Sequence, residues 1–230
     1  MVNLSCKNGI SKIIFMGFLS LDIWQILSFL VALVITLTFH EASHALVAYY
    51  LGDPTAKING RLSLNPINHL DPVGSLVFLI TWVVGWGKPV PINPSNFKHP
   101  VRDSALTALA GPLSNLILAF VVALLWKYLG EYMWVPLLLF VQTIFHLNVF
   151  LAIFNLFPFP PLDGSKIVGL IIPKSWYPKY ANYLNNGVRY FVAVILVDVF
   201  IVERIFGFSV FGSIIQYLHD IVSVVLLLGT

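Results

Sequence analysis

The chain has 230 residues, of which 58% are hydrophobic and only 10% charged, with a net charge of +3 and a mean hydropathy of +0.88. Soluble domains carry about a quarter of their residues charged, so this composition excludes one and points to a polytopic integral membrane protein in a lipid bilayer. The small net charge gives no case for a nucleic-acid partner, and the lone Cys6 excludes an internal disulfide and a cysteine-based metal site.

Residues 1–20 form an N-terminal segment in which Lys7 and Lys12 precede a short apolar stretch with no small-residue cleavage site, so no cleaved signal peptide is expected. The first span covers residues 21–50 and ends at Gly52-Asp53-Pro54. Residues 60–66 (GRLSLNP) alternate apolar with polar, the period of an extended segment, and predict a short hairpin. The apolar run 73–87 is shorter than the roughly twenty residues a perpendicular helix needs, which predicts a re-entrant or short tilted helix. Residues 88–94 (KPVPINP) are too rich in proline for a helix. Spans at 104–126 and 134–157 follow, and residues 188–205 with 209–228 predict a terminal helical hairpin around Gly207. The expected fold is therefore all-α, a bundle of about five full spans plus the short helix and the hairpin. Its core is residues 21–172, followed by a loop and C-terminal hairpin at 173–230.

Basic residues orient the bundle. With residues 73–87 not crossing, the loops 53–103 and 158–189 share one face and hold nine of the thirteen lysines and arginines, while Lys7, Lys12, Lys127 and Arg204 fall on the other. The richer face should be cytoplasmic, in a multi-pass protein of the cell membrane.

Near the end of the first span, residues 40–44 read H-E-A-S-H. On a helix, residues four apart differ by about 40° in azimuth, so His40 and His44 face one point with Glu41 beside it. In H-E-x-x-H sites the two imidazoles hold Zn²⁺ and the glutamate takes a proton from water. Ionisable groups in a span are costly and rarely idle. A third ligand is needed, and Asp163, after residues 155–162 (NLFPFPPL) at the end of a later span, reaches the same face by topology. His69, Asp71 and His146 are alternatives only if Asp163 is not the ligand.

H-E-A-S-H followed by N-L-F-P-F-P-P-L-D-G resembles the site-2 protease family of intramembrane zinc metalloproteases. The segments GRLSLNP at 60–66, HLDP at 69–72, KPVP at 88–91 and AGPLSN at 110–115 are similar to its compact bacterial and archaeal members, so the likeness covers roughly residues 30–170. The last sixty residues carry no family signature, and no PDZ-like or CBS-like domain fits in the chain. The resemblance implies one Zn²⁺ on His40, His44 and Asp163, Glu41 as the base, and cleavage of a peptide bond in or near a substrate's transmembrane helix. It implies that Asn155 contacts substrate backbone or the oxyanion. Asn65 and Asn115 are further candidates for substrate contact, with interhelical hydrogen bonding the alternative for Asn115 and Asn148. A zinc transporter and a zinc-stabilised scaffold are the competing readings. A transporter would need acidic residues along a path, and a scaffold would be indifferent to Glu41.

Overall fold

The structure is a computed structural model and describes residues 23–81 and 87–227; residues 1–22, with Cys6, lie outside it. Helix α1 (Ile23–Tyr50) is 28 residues long, about 42 Å at 1.5 Å per residue. It stops at Gly52, whose φ of 106° suits only glycine. Asp53, fully buried just beyond, clamps the following loop through bonds from Thr55, the Asn93 N–H and the Asn96 amide. Burial raises the proton affinity of its carboxyl, but those donors outweigh burial and hold it below the usual range.

Residues 60–66 form no strand, which corrects the expected hairpin. Side chains hold this segment instead: Ser63 O accepts from His69 Nε2 at 2.7 Å, the Arg61 guanidinium reaches Asn68 O, and Asn65 caps the turn Pro66–Asn68. Backbone pairing occurs further on, in one antiparallel bridge between Leu70 and Gly87. Between these two residues lies α2 (Pro72–Thr81), capped by Asp71, whose Oδ1 accepts from Gly74 N. Ten residues rise only about 15 Å. Because Leu70 and Gly87 are paired and Lys88 N donates to His69 O at 2.8 Å, the segment returns to where it left.

Helix α3 (Pro100–Leu129) and helix α4 (Val135–Leu156) complete a core in which α1, α3 and α4 each pack on the other two. Small residues allow the approach: Ala32 on α1 and Ala119 and Ala123 on α3 meet Val141, Phe145 and Val149 on α4. Asn148 Nδ2 bonds Thr36 Oγ1 at 2.9 Å, so it ties α4 to α1 as interhelical glue. The outer faces expose Val31, Ile117, Phe120 and Val121, as lipid-facing surfaces do.

A short helix α5 (Asp163–Ile167) follows α4 and folds back against α3 and α4. Helix α6 (Tyr177–Val197) continues through a π turn into Glu203–Phe206, and Gly207, at φ 78°, reverses the chain into α7 (Val210–Leu226). Buried Asp198 caps α7 through Ser209 Oγ, Val210 N and Phe211 N. Three described helices, α1, Pro100–Tyr132 and α4, are long and apolar enough to cross a membrane, against about five expected. The C-terminal pair falls short for a physical reason: the first half of α6 carries Lys179, Asn182, Asn185 and Arg189, and the 17 residues of α7 rise about 26 Å against the bilayer's about 30 Å.

Candidate metal centre

His40 and His44 lie one turn apart on the inward face of α1, 4% and 6% exposed. Their rings meet edge to face with Nε2 atoms 3.1 Å apart. Asp163, the first residue of α5, brings Oδ2 to 3.1 Å from His40 Nε2 and 3.2 Å from His44 Nε2. Three donor atoms thus form a nearly equilateral triangle. A tetrahedral ion with ligands at about 2.0 Å has edges of about 3.3 Å, so the triangle has the size of one coordination face.

The far nitrogens fix what the near ones carry. His44 Nδ1 lies 2.7 Å from the carbonyl of Thr107, which can only accept, so Nδ1 bears the proton and Nε2 a lone pair. His40 Nδ1 donates to Asn115 Oδ1 at 2.9 Å. Two imidazole lone pairs and a carboxylate oxygen then converge at 3.1–3.2 Å, a repulsive arrangement that a cation between them reverses. Acceptors on the outer nitrogens are what metal-binding histidines use. His40, His44 and Asp163 are also the one group of three or more such side chains, among the described residues, with ligand atoms close enough to hold an ion. The donor set, two nitrogens and an oxygen, suits zinc.

Two glycines make the triangle possible, and neither was assigned a role from sequence. A Cβ on Gly111 would lie 2.4 Å from His44 Nε2 and 2.6 Å from His40 Cε1, so only glycine lets α3 pass beneath both rings. The next residue is Pro112, inside the helix, which has no N–H to give the carbonyl of Ala108 and bends helices. A Cβ on Gly164 would come within 2.2 Å of Leu156 O and 2.3 Å of Phe157 O. Its absence lets α5 close on the end of α4 and deliver Asp163. The letters G-P and D-G were the visible signal; the contacts that require them were not.

Glu41 is half-buried beside the triangle, and its Oε2 accepts from Val90 N at 3.3 Å. Pro89 and Pro91 flank Val90 and lack N–H groups, so Val90 is the sole backbone donor in that stretch of the loop. Asn115 is fully buried against His40. Asn155 is half-buried near the end of α4, its amide donating to Leu151 O, and Asn65 is exposed as a cap. His69, Asp71 and His146 are engaged elsewhere: with Ser63 O, with the start of α2 and with His219.

The model of peptidase family M50 matches residues 130–197, which include α4 and Asp163 and run beyond the point where family likeness was expected to stop. The chain is 39% identical over 171 residues to YwhC of Bacillus subtilis, a protein named as a candidate zinc metalloprotease, covering 71% of this chain and 78% of that one. Rip2 of Mycolicibacterium smegmatis, described in the same words, is 29% identical over 136 residues, 56% of this chain and about half (51%) of its own length. A Methanocaldococcus jannaschii relative of the same description is 40% identical over 70 residues, 29% of this chain and 34% of its own. No solved structure matches.

Proposed function

The chain belongs to peptidase family M50, the site-2 proteases, and from that premise we propose that it is a zinc-dependent intramembrane endopeptidase that cleaves a peptide bond in or near a substrate's transmembrane helix. The observation that carries this reading is the triangle of His40 Nε2, His44 Nε2 and Asp163 Oδ2. These three residues hold one zinc. When bound, zinc supplies Lewis acidity, polarising a carbonyl oxygen and acidifying water. Glu41 takes the proton of the attacking water and returns it to the leaving amine. The Val90 N–H keeps its carboxylate turned toward the site. Thr107 O and Asn115 hold the two imidazoles in the tautomer that presents Nε2.

The membrane setting follows from the helices that carry the residues. His40 and His44 sit on α1, which is long and apolar enough to span, and they pack on α3 at Thr107, Gly111 and Asn115. In this reading Asn155, near the end of α4 before the prolines that lead to Asp163, meets an unwound substrate backbone, and Asn65 is an outlying contact. A transporter would need a chain of ionisable groups through the bundle, whereas among the described residues only His40, His44 and Asp163 bring three ligand atoms together.

Metal removal tests the reading. Stripping zinc with a chelator should abolish cleavage of a transmembrane substrate, and added Zn²⁺ should restore it. Asp163→Ala should lose zinc, because two imidazoles lack the third anchor. Full zinc occupancy in Asp163→Ala, measured by elemental analysis, would mean that another group completes the site.

A further inference from the structure

A groove of about 1270 Å³ opens between α4 and α7, and no residue of the zinc triangle lines it. Its walls are mostly apolar, yet Thr143 and His146 from α4 and Gln216, His219 and Asp220 from α7 face into it. His146 Nδ1 and His219 Nε2 are 3.1 Å apart, and the rings stack at 28° with centroids 5.1 Å apart. The separation equals that of the two catalytic Nε2 atoms. On the far side, His219 Nδ1 faces Asp220 Oδ1 at 3.5 Å, and Gln216 Nε2 donates to that same oxygen at 2.8 Å. A carboxylate on the Nδ1 side of His219 favours the tautomer with its lone pair on Nε2, the nitrogen that faces His146, as carboxylate partners do for metal-binding histidines. Trp126 and Phe145 pack edge-on against His146 and hold its ring. The two histidines are 73 residues apart, so the pair is built by tertiary packing. Both sit near the middle of apolar helices, where ionisable side chains are costly, and the proteolytic reading uses neither.

We propose that His146 and His219 form a second site for a divalent transition-metal ion of the imidazole-binding class, Zn²⁺, Ni²⁺ or Cu²⁺. Asp220 orients His219 and offsets the ion's charge, and water from the open groove completes the coordination. Two protein ligands against three make this site weaker than the triangle, so it loads at higher free metal and empties first on dialysis. Because each helix gives one ligand, the bound ion staples α7 to α4.

The test uses the full chain in lipid nanodiscs, dialysed so that the tightly held zinc remains, and Ni²⁺ as the probe. Elemental analysis should show one zinc, then one added equivalent of Ni²⁺, with a rise in Tm. His146→Ala and His219→Ala should each lose that equivalent and the rise, while keeping the first zinc. Asp220→Asn should weaken Ni²⁺ binding by about 10- to 100-fold. A wild type saturating at one ion, or a second equivalent that survives both substitutions, overturns the proposal. Should either alanine variant fail to fold, His146→Gln or His219→Gln at the same position applies the same criteria. The readout counts ions without reference to cleavage, so failure of the protease reading would leave this result standing.

Discussion

At the scale of single residues, each imidazole of the triangle has an acceptor on its outer nitrogen, Asn115 Oδ1 for His40 and Thr107 O for His44. His40 and His44 each give an outer N–H to an acceptor, and so each has an Nε2 free to bind. Asn115→Ala removes one acceptor, lets the His40 ring turn or change tautomer, and should weaken zinc binding by about 10- to 100-fold. A competition titration against a chelator measures this; unchanged affinity would show that the Asn115 contact is incidental. His40, Glu41, His44 and Asp163 were legible in the sequence because side-chain chemistry and helical spacing are written in the letters. Thr107 was not, because its contribution is a backbone carbonyl, which every residue has. Asn115 was legible as a polar residue in a span, but its partner 75 residues away was not.

Between elements, the decisive contacts are those where something had to be absent. Gly164 sits where α5 closes on the carbonyls that end α4. In Gly164→Ala the new Cβ would overlap the Leu156 and Phe157 backbone, which cannot yield as a side chain would, so α5 must move and carry Asp163 out of the triangle. Zinc content and cleavage should both fall by more than tenfold, a loss of more than about 1.4 kcal/mol, while the helical content of the α1–α3–α4 core is kept. Circular dichroism with elemental analysis separates the two effects, and full zinc occupancy would contradict this reading of the turn. The same scale explains where sequence reasoning went astray. Alternation at residues 60–66 looked like a strand, but Asn65-Pro66 capped a turn, and pairing moved to Leu70 and Gly87. The shortness of residues 73–87 did foretell a helix that turns back, since chain length is read directly. The C-terminal hairpin was foreseen around Gly207, but its polar first half and short second helix make it a poorer pair of spans than its apolar letters promised.

For the molecule as a whole, the return of the chain at the Leu70–Gly87 bridge leaves the loops before α3 and after α4 on one face. Lys57, Arg61, Lys88, Lys98, Lys166 and Lys174 are there, with Arg102 and Lys179 in the first turns of α3 and α6, so that face, with the metal centre near it, should be cytoplasmic. In a Cys6→Ser background, single cysteines at positions 57 and 174 should resist an impermeant thiol reagent in intact cells and react after permeabilisation. Labelling of position 174 from outside would reverse the orientation.

In the proposed mechanism Glu41 is a base beside a metal that it does not itself hold. Glu41→Gln keeps the shape of the side chain and its place beside Val90 but removes the proton acceptor, so the fold and zinc should remain. Loss of a general base costs about 10²- to 10⁴-fold in rate. The most direct measurement is cleavage of a transmembrane substrate by the wild type and by Glu41→Gln, at matched zinc content and matched Tm. The variant should hold its zinc, bind the substrate and leave it uncut; comparable cleavage by the two proteins would rule out Glu41 as the base.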